Sequence, residues 1–321
     1  MLETAISASV TPDVAIRATA LRKIYRYHRS RPGLAGSLKD LIARQSGERV
    51  AVESLDLTIR RGEFVGLLGR NGAGKTTTLK MFSGLLRPTS GELRVQGREP
   101  QRRGFDFLRR IGIVLGNKSM LWWDVSTMEN LKLHEALYDL DRRQFDETVA
   151  ELGRLLEITD HLDIPVRKLS LGERMKCELM LALIHRPEVI FLDEPTIGLD
   201  VVSKAAIRDF LRRLNADRQT TIILTSHDMD DIDQLCHRVL LIDHGRLQFD
   251  GSPEELITRT SPRRTVVATY ADGGRVVTEV DRGAVPDFLA QLSAGGVLAD
   301  LEVRGADLDE VMRRVLAGGV R

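Results

Sequence analysis

The chain has 321 residues, 47 of them Lys or Arg against 46 Asp or Glu, so it allows one large domain with a smaller companion and excludes nucleic-acid binding driven by overall charge. Its hydrophobic content of 42% supports a buried core, and two cysteines, Cys177 and Cys236, exclude a disulfide-built fold and fit a reducing compartment. No run approaches the roughly 18 apolar residues of a membrane span, and the start MLETAISASVTPD lacks the order of a signal peptide, so the expectation is a soluble, cytoplasmic chain.

Residues 1–20 are small and polar, with a strand beginning in Val14–Ala20. Residues 28–49 are basic and carry Pro32, Gly33 and Gly36. They read as an inserted, partly helical surface loop, with a membrane or partner contact as the alternative. SLDLTIR (54–60) alternates as an edge or half-buried strand does, and EFVGLLG (63–69) is a continuous apolar run, as a buried parallel strand is. KTTTLKMFSGLL (75–86) has helical spacing and stops at the breaker cluster RPTSG. GELRVQG (91–97) and IGIVLG (111–116) are strands, and 126–162 is a polar-rich helical subdomain. VIFLD (189–193) and TIILTS (221–226) are buried strands, each followed by a helix, and 238–250 is a hairpin turning at His244–Gly245. Strands alternating with helices predict an α/β fold with a mostly parallel sheet. After Gly251 the pattern becomes strand, DGG turn (272–274), strand, helix (284–293), strand (297–304) and helix (307–316). That is a small α+β appendage near the lower size limit for independent folding. The expected division is 16–250 and 251–321.

Gly69-Arg-Asn-Gly-Ala-Gly-Lys75-Thr76 fits G-x-x-x-x-G-K-[ST] between a strand and a helix. Glycines at 69, 72 and 74, with Asn71 and Ala73 between them, let successive backbone N–H groups face one anion, and the helix N-terminus adds partial positive charge. Lys75 is suited to β- and γ-phosphate oxygens, Thr76 to Mg²⁺ and Thr77 to an α-phosphate, a pattern that leaves open kinases, GTPases, recombinases, transporter ATPases and DNA-repair ATPases. VIFLDEPTIGLD (189–200) puts Asp193 and Glu194 at the carboxyl end of a strand, where ligands of open α/β sheets lie. Asp193 suits Mg²⁺, held largely through water, and Glu194 suits orienting and deprotonating an attacking water.

Between these motifs lies Leu169-Ser170-Leu171-Gly172-Glu173. After them come Gly198-Leu199-Asp200 and, following the next strand, His227. With this order and spacing over roughly residues 16–250, the chain resembles the nucleotide-binding subunit of an ABC transporter. The segments correspond to that family's signature, D-loop and switch histidine. The resemblance implies a P-loop NTPase cassette with a RecA-like core, an antiparallel β-subdomain and a helical signature subdomain. It implies ATP hydrolysis at a dimer interface, with Ser170 and Gly172 of one chain meeting the γ-phosphate held by the other chain's loop, and Asp200 nearby. It also implies a separate transmembrane permease as partner and a place on the cytoplasmic side of the membrane. Adenine would stack on Tyr25, with Tyr27 the alternate and plain strand filler the bland reading, and Val52 would flank the base. Ser170 and Glu173 also form a capping box, a local role compatible with the first.

Two departures stand out. Leu171 and Glu173 replace the usual Gly and Gln of the signature, and the carboxylate weakens closure unless it points away. Asn117 stands where the family places a Gln that reaches Mg²⁺ and water, and its side chain is shorter by about 1.5 Å. Trp122 and Trp123 are either anchors of the helical subdomain or part of a groove for the permease. Arg102, Arg103, Arg109 and Arg110 read as a solvated face rather than a nucleic-acid site. The insertion, the LWWD segment and the appendage look most like the ABC-2-type exporter branch. The rivals are soluble ABC ATPases of translation, which carry two cassettes, and of DNA repair, whose coiled coil the spacing from Lys75 to Ser170 cannot hold.

Overall fold

A computed structural model describes residues 13–28, 46–116, 118–261, 263–305 and 308–318. Two compact units divide between Gln248 and Phe249, within the last strand of the larger sheet, and each is described by itself.

The first unit is built on a nine-stranded sheet: β1 (Val14–His28), β2 (Ser46–Arg60), β3 (Phe64–Leu68), β4 (Ser90–Val95), β5 (Ile111–Leu115), β6 (Val189–Asp193), β7 (Thr221–Thr225), β8 (Arg238–Asp243) and β9 (Arg246–Gly251). The order is β4-β1-β2-β9-β8-β3-β7-β6-β5. The stretch β8-β3-β7-β6-β5 is parallel, and β4-β1-β2 is antiparallel. Every residue of β3, β6 and β7 is buried. That is what continuous apolar strands covered on both faces require, and it leaves their carboxyl ends as the place where polar residues gather. The helices are α1 (Lys75–Phe82), α2 (Phe105–Leu108), α3 (Thr127–Tyr138), α4 (Arg142–Leu155), α5 (Leu171–Leu183), α6 (Val201–Arg218) and α7 (Met229–Leu235). A capping box of Ser126 with Glu129 starts α3, and Asp141 caps α4, so the polar stretch 126–162 is helical as its pattern predicts.

Of the two readings of β2, the half-buried strand holds: Leu55, Leu57 and Ile59 are buried, and the strand lies inside the sheet. One expectation is corrected. The strand predicted within Val14–Ala20 runs on to His28, and β2 begins at Ser46, so both ends of the expected insertion are strand; residues 29–45 lie outside the described residues. The physical cause is irregular pairing. The β1–β2 register shifts between Ala18 and Leu21 and again between Lys23 and Ile24, with Ala20 left-handed at φ 47°, which breaks the period-two pattern. The hairpin turn falls at His244 (φ 47°) and Gly245 (φ 74°), as read from sequence. Its Gly245 N–H donates to the Ala73 carbonyl at 3.1 Å, tying the hairpin to the glycine-rich loop.

The second unit contains α8 (Pro253–Thr260), β10 (Arg263–Tyr270), β11 (Arg275–Asp281), α9 (Val285–Ala294), β12 (Leu298–Gly305) and α10 (Leu308–Gly318). Its three-stranded antiparallel sheet has the order β11-β10-β12. Val266, Ala268 and Leu292 form a small core beneath Tyr270, Phe288 and Leu289. Among the described residues no helix is long and apolar enough to cross a membrane.

Candidate nucleotide site

The loop between β3 and α1 curls because its glycines take conformations that side chains resist. Gly69, Gly72 and Gly74 have φ of 147°, 83° and 113°. A Cβ on Gly69 would stand 2.1 Å from the Ile242 carbonyl oxygen, and one on Gly74 would stand 2.5 Å from that of Ala51. The loop therefore nests between β8 and β2. Lys75 starts α1 and is 8% exposed; its ammonium donates to the carbonyls of Gly69 at 2.6 Å and Arg70 at 3.2 Å. Burial pulls its pKa below the usual lysine value against the opposing pull of Glu194 and Asp193.

Asp193 ends β6, buried. Its Oδ1 accepts from the Thr76 hydroxyl at 3.1 Å and from the Thr225 hydroxyl at 2.7 Å. Glu194 follows in a left-handed conformation (φ 57°), and its carboxylate takes other partners than that of Asp193. Its N–H donates to the carbonyl of Thr225 at 3.0 Å and the hydroxyl at 3.1 Å. Its Oε2 accepts from the His227 N–H at 3.1 Å, and its Oε1 lies 3.2 Å from His227 Nε2. Burial raises the Glu194 pKa, opposed by His227 and Lys75, which favours a carboxylate able to accept a proton.

These groups share one cleft of about 470 Å³. Its walls include Tyr25 and Tyr27, the loop from Arg70 to Thr77, Gly116, Asp193, Glu194 and His227. Tyr25 and Tyr27 are 38% and 42% exposed, so their rings are open to a ligand. Val52, expected to flank the base, is wholly buried; its Cγ2 lies 3.3 Å from where a Cβ on Gly74 would be, beneath the loop, and Ala51 lines the cleft instead. The cause is the register slip there: Lys23 pairs with Val52 and Ile24 with Val50, leaving Ala51 unpaired. Asn117 lies outside the described residues. Gly116 before it donates its N–H to the Asp193 carbonyl at 2.7 Å.

Ser170, Gly172 and Asp200 are not among the residues lining this cleft. Ser170 caps α5, and its hydroxyl lies 2.8 Å from Glu173 Oε2 and accepts from the Glu173 N–H at 3.3 Å. Glu173 points back into this cap and pairs with His161 at 3.0 Å; the Ser170 N–H and hydroxyl lower its pKa. A Cβ on Gly172 would stand 2.4 Å from Ser203 Oγ, so glycine lets the starts of α5 and α6 approach. Asp200 caps α6 and accepts from the Ser203 N–H at 2.9 Å.

Several supporting residues carry no motif. Thr225 touches both acids. Asp231 is fully buried and accepts from Arg208 Nε at 2.6 Å, from Ser226 Oγ at 2.8 Å and from Thr196 Oγ1, holding the segments beside Glu194 and His227. Arg49 and Arg70 line the cleft. Trp122 and Trp123 are 64% and 50% exposed, which removes the core-anchor reading. Trp123 lies with Leu171, Arg174 and Glu178 around a groove of about 230 Å³, with the Arg174 guanidinium 4.8 Å from its ring.

A strand–loop–helix phosphate cradle facing paired acids at strand ends defines a P-loop nucleotide-binding protein. The ABC transporter family model matches residues 52–197. The chain is 37% identical over 206 residues to the ABC transporter ATP-binding protein NatA of Bacillus subtilis, covering 64% of this chain and 83% of that one. It is 34% identical to the daunorubicin resistance ATP-binding protein DrrA3 of Streptomyces coeruleorubidus, covering 84% and 88%. The solved structure of cbiO1 from Clostridium perfringens, described as part of the ABC transporter complex cbiONQ, superposes with a TM-score of 0.63 at 25% identity over 77% of this chain and 91% of that one. The chain belongs to the ATP-binding proteins of ABC transporters, and it is an ATPase subunit of that family.

Proposed function

We propose that this subunit binds MgATP in the cleft between its glycine-rich loop and the β1–β2 hairpin, closes against a second ATPase subunit, and drives export through a separate transmembrane permease at the cytoplasmic face of the membrane. The observation that carries this reading is the separation within one chain. Lys75, Thr76, Asp193, Glu194 and His227 share the cleft, while Ser170, Gly172 and Asp200 lie outside its walls. A second copy would bring its own Ser170 and Gly172 to the open side.

In this reading the loop amides and Lys75 hold the phosphates, Thr77 meets the α-phosphate and Tyr25 stacks on the adenine. Glu194 accepts the proton of the water that attacks the γ-phosphorus, and ADP leaves as the anhydride bond breaks. His227 keeps Glu194 aimed through its N–H and ring. Thr76 Oγ1 and Asp193 Oδ1 are hard oxygen donors 3.1 Å apart, which fits Mg²⁺. When bound there, Mg²⁺ neutralises charge on the β- and γ-phosphate oxygens. Asn117 is assigned to water and Mg²⁺ with a shorter reach than Gln. Trp122 and Trp123 are assigned to the permease groove, and residues 251–321 to an accessory domain. Export follows the relatives, among them a daunorubicin resistance protein.

Glu194→Gln tests the centre of the reading. It is expected to keep ATP binding, to lose about 10²–10⁴-fold in phosphate release, and to accumulate an ATP-dependent dimer by light scattering. A variant that stays monomeric with ATP, or that turns over at the wild-type rate, overturns it.

A further inference from the structure

The β1–β2 hairpin brings to the nucleotide cleft a cation that belongs to none of the motifs. Arg49 stands on β2 directly opposite Tyr25 of β1 and lines the cleft beside it. Its Nη2 lies 3.3 Å from where a Cβ on Gly72 would be, so the guanidinium reaches the crest of the glycine-rich loop. The strand that carries it is fixed at close range, because Gly74 lacks the side chain that would collide with the Ala51 carbonyl. The Tyr27 ring folds over Gly47, two residues before Arg49: a Cβ on Gly47 would stand 2.6 Å from Tyr27 Cζ. The gap at Gly74 thus seats β2 against the loop, and the gap at Gly47 seats the Tyr27 ring on the facing strand of the hairpin.

The charge pattern on β2 separates Arg49 from its neighbours. Glu48 pairs with Arg26 at 3.0 Å, and Glu53 pairs with Arg246 at 2.7 Å, so the two nearest carboxylates on the strand are engaged elsewhere. A guanidinium presents a planar fork of donors that matches phosphate oxygens, and it does so most usefully where a loop already holds the phosphate.

We propose that Arg49 is a substrate-binding residue that pairs with the polyphosphate of the nucleotide across the loop crest, while Tyr25 at the facing register position takes the base. The site then selects nucleoside di- and triphosphates over monophosphates by a contact from the hairpin as well as from the loop. This deepens the ATP-binding reading above and rests on it.

The test measures binding of ATP, ADP and AMP by the full chain with fluorescent methylanthraniloyl nucleotides, alongside the KM and kcat of phosphate release and a melting curve. Arg49→Ala is expected to raise Kd about tenfold for ATP and ADP and less than about twofold for AMP. KM should rise with Kd, and kcat should stay within about twofold. Arg49→Lys should recover part of the loss, having the charge without the fork. Arg49→Gln reads the same contact if the alanine variant melts early. Unchanged ATP and ADP affinity in a folded Arg49 variant overturns the proposal, and so does an equal loss for AMP, which would mark a role in hairpin shape. Wild-type chain that binds no ATP would instead bring down the functional reading itself.

Discussion

Thr225→Val is a sharp probe of how the two acids are held. Thr225 ends β7, fully buried, with its hydroxyl between the acids: it donates to Asp193 Oδ1 at 2.7 Å and accepts from the Glu194 N–H at 3.1 Å. Valine keeps the shape and removes the hydroxyl. Asp193 would then retain the Thr76 hydroxyl, and the Glu194 N–H would retain the Thr225 carbonyl at 3.0 Å. Loss of one hydrogen bond to a buried carboxylate costs about 2 kcal/mol, or a melting temperature lower by about 4–8 °C for a unit of this size. The larger effect falls on turnover. A displacement of an acid by a fraction of an ångström is expected to lower kcat about 10–100-fold while the ATP Kd changes less than about threefold. Thr225→Ser restores the hydroxyl and should return kcat to within about threefold. Phosphate release against ATP concentration, read beside the melting curve, decides it. Wild-type turnover in Thr225→Val, or equal damage in Thr225→Ser, refutes the argument that the hydroxyl positions the acids.

Gly172→Ala should lower stability by about 1–3 kcal/mol, because the new Cβ would stand 2.4 Å from Ser203 Oγ and 3.0 Å from Ser203 Cβ. Adding Ser203→Gly should restore the melting temperature without restoring ATPase activity; a Gly172→Ala chain that melts like the wild type shows the packing argument to be wrong. Acid sensitivity follows from His185, whose pKa is pushed down to about 4 by burial against the pull of the Ile111 carbonyl, with His134 and Arg109 adding to the decrease. The unfolded imidazole takes its proton near pH 6.5 and the folded one does not. Stability is therefore complete above that pH and falls by up to about 3 kcal/mol as pH drops towards 4. His134, also lowered by burial, acts with the same sign. Melting temperatures from pH 7 to pH 4 should show the decline, and His185→Asn should flatten it; an equal decline in that variant would place the cause elsewhere.

The sequence carries the phosphate loop and the acids plainly because each depends on short-range geometry. Backbone amides must converge within one turn, which fixes glycine spacing, and acids at strand ends follow directly from a buried apolar strand. The residues that support them are illegible for the opposite reason. Thr225 reaches Asp193 across 32 positions and Asp231 reaches Thr196 across 35, and nothing local distinguishes either side chain from an ordinary polar residue. Val52 lies under the loop because one residue, Ala51, is left without a partner in the β1–β2 register, which a two-residue period cannot show. Arg49 sat within a stretch whose composition resembles loop, while the pairing of β1 with β2 makes its end a wall of the cleft.

The altered signature illustrates how such departures are to be weighed. In sequence, Glu173 threatened an incoming phosphate with a second negative charge. In the fold its carboxylate turns back into the Ser170 cap and towards His161, which favours its ionised form and fixes where the charge sits. Leu171 is 45% exposed, and its Cδ2 lies 3.3 Å from where a Cβ on Gly198 would be, at the turn that leads into α6. On that turn and the start of α6, Ile197, Val201 and Val202 are exposed too, the last two at 83% and 79%. Apolar side chains gathered beside the signature gain by leaving water, in proportion to the area covered. Under the proposed closure against a second subunit, the leucine that replaces a glycine adds apolar surface where the two chains would meet. In that proposed closure the burial of Leu171 would work against the cost of the Glu173 charge.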